Sequence, residues 1–104
     1  MSTSSNRLEI SELGPAAIGV SGEVDAHSAP ELAEHLAALP ADGSDVRIDL
    51  SSVPFMDSSG LRVLIEAHQR IGATGHRLVL TASSDAVKRL LDVAGLTDHF
   101  TTGD

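Results

Sequence analysis

The 104-residue chain contains no cysteine, tryptophan or tyrosine, and phenylalanine occurs only twice. Without cysteine there is no disulfide framework, thiolate zinc site, iron–sulfur cluster or thiol nucleophile, which fits a reducing compartment. Basic residues are also scarce: seven Lys and Arg against fifteen Asp and Glu leave a net charge of −8. With so few cations and almost no stacking rings, a nucleic-acid surface is excluded. No apolar run approaches the ~20 residues that span a bilayer. The opening Met1-Ser2-Thr3-Ser4-Ser5-Asn6 lacks the basic and apolar regions of a secretory signal. A cytoplasmic protein with no direct membrane insertion is expected. The length suits one domain, 1–104, with tails at about 1–6 and 101–104. A domain near this size buries roughly two-thirds of its unfolded surface, enough for a core without staples. An acidic module of this kind is expected to be monomeric when free.

Leu8 and Ile10 alternate with polar residues, Gly14-Pro15 interrupts, and Ile18 and Val20 resume the alternation. That is the pattern of an antiparallel hairpin. Ser28-Ala29-Pro30-Glu31 offers an N-cap serine with a glutamate three residues on, ahead of Leu32, Leu36 and Leu39 at helical spacing. Val46, Ile48 and Leu50 alternate as a third strand. Leu61, Leu64, Ile65, His68 and Ile71 form the stripe of a second helix, with Arg62, Glu66 and Arg70 as i,i+4 neighbours of opposite charge. Arg77-Leu78-Val79-Leu80 has the continuous apolar character of a strand covered on both faces. Ser83 or Ser84 caps a third helix with Val87, Leu90, Leu91 and Ala94 inward, and Gly95-Leu96 ends it. A last short strand at His99-Phe100-Thr101 completes the prediction. The order β-β-α-β-α-β-α predicts an α/β fold with a mixed sheet of four to five strands and helices packed on it.

Reactive and conformationally special residues concentrate at one strand-to-helix junction, Met56-Asp57-Ser58-Ser59-Gly60. Loops after the carboxyl ends of strands carry ligand and partner contacts in α/β sheets. Asp57, Ser58 and Ser59 have the residue types that cap a helix, which is what they do in most proteins. A phosphate on Ser58 would add about 1.5–2 negative charges at pH 7, at little cost to a helix start. For a docked partner, the same dianion beside Asp57 would be strongly unfavourable. Met56, Val63 and Ala67 lie off the main stripe and predict a modest exposed apolar strip beside Ser58, although core filling is the commoner fate of such residues.

Other signals carry less. His27, His35, His68, His76 and His99 show no i,i+4 pair, so no metal site is predicted. Asp25, His27 and Ser58 contain the residue types of a hydrolytic triad, but neither the strained elbow nor an oxyanion hole is readable. No glycine-rich loop with its lysine is present, so any kinase must be a separate protein. No enzymatic activity and no cofactor are predicted.

Gly22-Glu23-Val24-Asp25, Phe55-Met56-Asp57-Ser58-Ser59-Gly60-Leu61 and Val87-Lys88-Arg89-Leu90-Leu91-Asp92-Val93-Ala94-Gly95-Leu96 resemble, in order and spacing, the STAS domain. More narrowly, the chain looks like the stand-alone anti-sigma factor antagonists of bacteria. The resemblance runs from about Leu8 to Phe100. It implies the STAS fold and a regulator of transcription in stress response. Such a protein, unphosphorylated, binds an anti-sigma factor that is also a serine kinase and releases its sigma factor. Phosphorylation by that kinase switches it off, and a metal-dependent serine phosphatase restores it. The phosphorylated position maps onto Ser58, with Ser59 its neighbour. Asp25 and Asp57 map onto acidic family positions near that site, assigned to partner recognition or local hydrogen bonding. The partner surface implied comprises Asp25, Met56, Asp57, Ser58, Ser59, Gly60, Arg62 and Val63. Arg62 departs from the glycine common in the family, placing a bulky cation one turn from Ser58; it is equally readable as a solvated residue paired with Glu66. Two other classes stand beside this one: a STAS subunit of a membrane transport assembly, binding constitutively, and a small-ligand or nucleotide sensor.

Overall fold

Alternation of apolar and polar residues produces the first two strands, and a tight turn at Pro15-Ala16 pairs them. In a computed structural model that describes residues 7–39, 45–96 and 100–102, β1 (Glu9–Gly14) and β2 (Ala17–Ser21) form the expected antiparallel hairpin. Helix α1 (Ala29–Ala38) follows, then β3 (Val46–Ser52), α2 (Ser58–Gly72), β4 (Leu78–Ser83), α3 (Asp85–Val93) and the short β5 (Thr101–Thr102). The sheet order is β1-β2-β3-β4-β5, antiparallel in the hairpin and parallel thereafter. The parallel pairs are joined through helices, as such crossovers require.

One face of the sheet makes the core. Ile18, Ile48 and Leu80 lie in register across β2, β3 and β4. Together with Val20, Leu50 and Leu78 they join Leu32 and Leu36 of α1, Leu64 and Ile71 of α2, and Val87 and Leu91 of α3 in a single buried cluster. Burying these side chains, at about 1.5–3 kcal/mol each, drives the collapse. The opposite face carries Arg47, Asp49 and Thr81. The expectation that β4 is covered on both faces holds at Leu78, Val79 and Leu80, all buried, although Val79, on the far side, lies outside the core cluster. Three consecutive apolar residues in a strand cannot by themselves reveal which face a helix covers.

Three expectations change at element ends. The last short strand expected at His99-Phe100-Thr101 is present as β5, but it runs through Thr101 and on to Thr102, a residue expected in the tail; they pair with Val79 and Leu80, and Phe100 is buried beside them; His99 lies outside the described residues, as do 1–6 and 103–104. Ala94 is exposed at the C-cap of α3 rather than inward. The capping box at Ser28 and Glu31 does not form, because the Ser28 side chain makes no cap bond to the helix. Its Oγ instead accepts from the Asp25 N–H at 3.0 Å, and its proton reaches the Glu23 carbonyl or Asp25 Oδ1. The ends of α3 are as expected: Ser84 Oγ accepts from the Val87 N–H, Gly95 takes φ +73°, and the Leu96 N–H donates to the Leu91 carbonyl. That is a Schellman ending, which favours glycine at the left-handed position.

Candidate partner-binding and phosphorylation site

Because β2 and β3 run parallel and adjacent, the loops leaving their carboxyl ends, and the helices those loops start, emerge side by side. The chain reinforces this beyond the strands proper. Val24 and Met56 form a parallel bridge, in which the Val24 N–H donates to the Phe55 carbonyl at 3.0 Å and the Asp57 N–H to the Val24 carbonyl at 3.1 Å. The Gly22 N–H likewise donates to the Ser52 carbonyl at 3.1 Å. Gly22 has φ +90°, and a Cβ there would fall 2.1 Å from the Arg7 carbonyl oxygen, so the turn out of β2 requires glycine.

Each loop carries an aspartate whose carboxylate receives backbone N–H groups. Asp25 Oδ1 accepts from the N–H groups of His27 and Ser28, both at 3.0 Å, and the Asp25 carbonyl accepts from the Ala29 N–H at 2.7 Å. Asp25 thus organises the turn ahead of α1, whose N-cap position is held by Ser28 without a side-chain cap bond. The Ser28 N–H, ahead of smaller contributions, holds the Asp25 carboxyl below the usual aspartate range. Asp57 caps α2: its Oδ1 accepts from the Ser59 N–H at 2.8 Å, and its carbonyl accepts from the Leu61 N–H at 3.1 Å. Asp25 Oδ1 is engaged by the His27 and Ser28 backbone, and no hydrogen bond from the His27 ring to Asp25 is formed among the described residues.

Ser58, the first residue of α2, is exposed, and among the described residues no group hydrogen-bonds its hydroxyl. Ser59 is half-buried behind it. The two lie in a cleft between the first turns of α1 and α2, lined by Ala26, Ala29 and Pro30 on one wall and by Ser58, Ser59, Arg62 and Val63 on the other. Arg62 points into solvent, its side chain 81% exposed, with Nε 3.7 Å from Glu66 Oε2. At that distance, fully exposed, the pair is weak.

Two residues predicted for the surface lie beneath it. Met56 is only 5% exposed, and Gly60 is buried directly over it. A Cβ on Gly60 would sit 2.7 Å from both Met56 Cγ and Val24 Cγ1, so glycine lets the first turn of α2 rest on the Val24–Met56 bridge. Ala67 is also buried, and of the apolar strip expected beside Ser58 only Val63 remains, half-buried. Helical spacing missed this because α1 packs against α2, widening its buried arc. The large exposed apolar residues among those described are elsewhere: Leu13 lies on β1, and Phe55 at 46% and Val93 at 79% flank a groove with Leu90 and Arg89 on the other side of Met56. Phe55, directly ahead of the Met56–Gly60 junction, was the sequence signal for it. Among the described residues there is no cluster of three metal-ligating side chains and no helix long and apolar enough to cross a membrane.

Comparison with known proteins agrees with this architecture. A model of the STAS domain matches residues 9–104. The anti-sigma-B factor antagonist of Bacillus subtilis (strain 168) is 40% identical over 81 residues, 78% of this chain and 74% of that protein. That of Listeria monocytogenes is 40% identical over 82 residues, 78% of this chain and 72% of that one. Among solved structures, an anti-sigma factor antagonist from Mycobacterium paratuberculosis superposes with a TM-score of 0.75 at 28% identity, covering 92% of this chain and 83% of that one. The unphosphorylated form of the anti-sigma factor antagonist SpoIIAA superposes at 0.71 with 18% identity over 93% and 88%, a likeness of fold alone. With the hairpin, the paired β2 and β3 exits and the family match spanning nearly the whole sequence, the chain belongs to the STAS domain family.

Proposed function

We propose that this chain is an anti-sigma factor antagonist: it binds an anti-sigma factor through the surface around the N-termini of α1 and α2, and phosphorylation of Ser58 switches that binding off. Relatives 40% identical over most of both chains bear that name. The observation that carries the reading is the Ser58 hydroxyl, exposed and unengaged among the described residues while its neighbours Asp57 and Ser59 hold the helix cap. A kinase could take this oxygen without disturbing the fold. The anti-sigma factor itself supplies the kinase. Ser58 Oγ attacks the γ-phosphorus of its ATP, the new Oγ–P bond forms as the bond to ADP breaks, and the hydroxyl proton is lost to a base on the kinase. A serine phosphatase returns the hydroxyl by hydrolysis. The chain is then a regulatory binding protein in the cytoplasm, without catalysis of its own.

The dianion acts on the partner and spares the domain. It stands on an exposed first helical turn, where negative charge is tolerated, and beside Asp57, where a docked surface would have to desolvate both. The test is a pull-down from the native cell extract with Ser58→Ala and Ser58→Asp as paired baits. Retention of an ATP-binding anti-sigma factor by the alanine bait alone, with both baits melting as wild type does, is the expected result. Equal retention of one partner by both baits would refute the switch and favour constitutive assembly, as in a transport complex. Unfolding of Ser58→Asp would refute the claim that the charge acts on the partner alone.

A further inference from the structure

Arg62 stands four residues after Ser58 on α2 and lines the same cleft, where it is the one charged side chain among the lining residues. We propose that Arg62 is a cis clamp for the phosphoryl group on Ser58: once Ser58 is phosphorylated, the guanidinium leaves Glu66 and pairs with the phosphate one turn away. The proposal rests on the reading of Ser58 as the modified residue and adds to it how the modified state is held.

The direction of the helix decides between the two acids that Arg62 can reach. Side chains on an α-helix lean toward its N-terminus, so a residue at i+4 covers the turn before its own Cα. For Arg62 that turn holds Ser58; Glu66 lies behind it. An acid placed N-terminal to a base at i,i+4 is the more favourable order, and Ser58 phosphate to Arg62 has it, whereas Arg62 to Glu66 is reversed. The pair observed in the unmodified protein reflects this: the approach is through Nε at 3.7 Å, with both side chains largely in solvent. A phosphate is a stronger competitor on two further counts, carrying nearly two charges and accepting two guanidinium N–H groups at once. Asp57, the remaining charged group next to Ser58, is committed to the Ser59 N–H. The wall contributed by the loop before α1 and its first turn, Ala26, Ala29 and Pro30, carries no charge to interfere.

The consequence is a phosphorylated state in which the dianion is partly neutralised and fixed along α2, and in which the arginine is withdrawn from any partner contact it makes in the free form. Both changes follow from one event. The clamp is read on protein made with phosphoserine incorporated directly at position 58, so no kinase enters the measurement. Phosphorus NMR titration gives the second ionisation of the phosphate, near pH 6 in a free phosphoserine. A neighbouring cation favours the dianion, so the wild-type midpoint is lowered and Arg62→Ala should raise it by roughly 0.3 unit, the equivalent of an i,i+4 ion pair. Glu66→Gln, which removes the competitor, should leave the midpoint at or slightly below wild type, and 1 M salt should erase the difference made by Arg62→Ala. An unchanged midpoint in Arg62→Ala, or an upward shift as large in Glu66→Gln, overturns the clamp. Failure of the purified anti-sigma factor to phosphorylate Ser58 overturns the reading beneath it and leaves the titration unaffected.

Discussion

Gly60 is where packing of the site can be tested most sharply, because helix propensity and tertiary contact pull in opposite directions. In an isolated helix Gly60→Ala would stabilise by up to about 1 kcal/mol. Here the added Cβ meets Met56 Cγ and Val24 Cγ1, each at 2.7 Å, well inside the closest approach that carbon atoms accept. Met56 is unbranched and can rotate aside. Val24 cannot: it is fully buried, stiff at χ1 and tied through its backbone to Phe55 and Asp57. The first turn of α2 must therefore lift, at the 1–3 kcal/mol typical of overpacking. Set against the propensity gain, the net loss is up to about 2 kcal/mol, or up to roughly 15 °C in melting temperature for a domain near this size. Urea unfolding followed by circular dichroism reads it as a lower midpoint at unchanged slope. Gly72→Ala is the control, since nothing lies within 4 Å of its Cβ position, and it should be neutral or stabilising. Val24→Ala removes one of the two clashing atoms, so Gly60→Ala should cost less in that background than in wild type. If Gly60→Ala stabilised the domain, the close approach of α2 to the Val24–Met56 bridge would be refuted.

Asp57→Ala removes the cap bond to the Ser59 N–H and should cost about 1 kcal/mol, while Asp57→Asn, an equally good cap, should keep most of the stability; urea midpoints compare the two. Gly22→Ala places a side chain on φ +90° against the Arg7 carbonyl and should cost more than Gly60→Ala, at least about 2 kcal/mol, by the same assay. Asp45 accepts the Arg77 N–H at 2.9 Å and lies near the Arg77 guanidinium and the His76 ring, and the Arg77 N–H above all holds its carboxyl below the ordinary 3.8. A depressed folded-state value stabilises above the unfolded one and is lost as pH falls through it. Melting temperature should therefore fall below about pH 4, and Asp45→Asn should melt lower at neutral pH with the difference closing in acid.

Apolar spacing located β1, β2, β3 and the three helices, because each had to place apolar residues at intervals of two or of 3.6, whereas β4 was read from a continuous apolar run and β5 only in part. The tetrad at Asp57 to Gly60 was visible too, since capping and a tight strand-to-helix passage restrict residue type locally. What local chemistry left undecided were choices among equivalent groups. Ser28 has the oxygen to cap α1, but tertiary placement turned its hydroxyl to Asp25 and the Glu23 carbonyl, while Asp25 Oδ1 took the N–H groups of His27 and Ser28 in the turn before the helix. Met56, Ala67 and Val63 look alike in sequence, but only assembly of α1, α2 and the bridge decided that the first two are covered and the third is half open.

The sequence by itself determined the order of elements, the acidic surface, the absence of thiol chemistry and the hydroxyl at the start of α2, because composition and short-range spacing act within one turn or one strand. Only the tertiary structure decided that the β2 and β3 exits adjoin, that Gly60 serves packing beneath the surface, and that all three helices join one buried cluster with one face of the sheet. Those outcomes depend on which segments, distant in the chain, share a strand pair or a core, and burial and register are settled only when the whole sheet assembles.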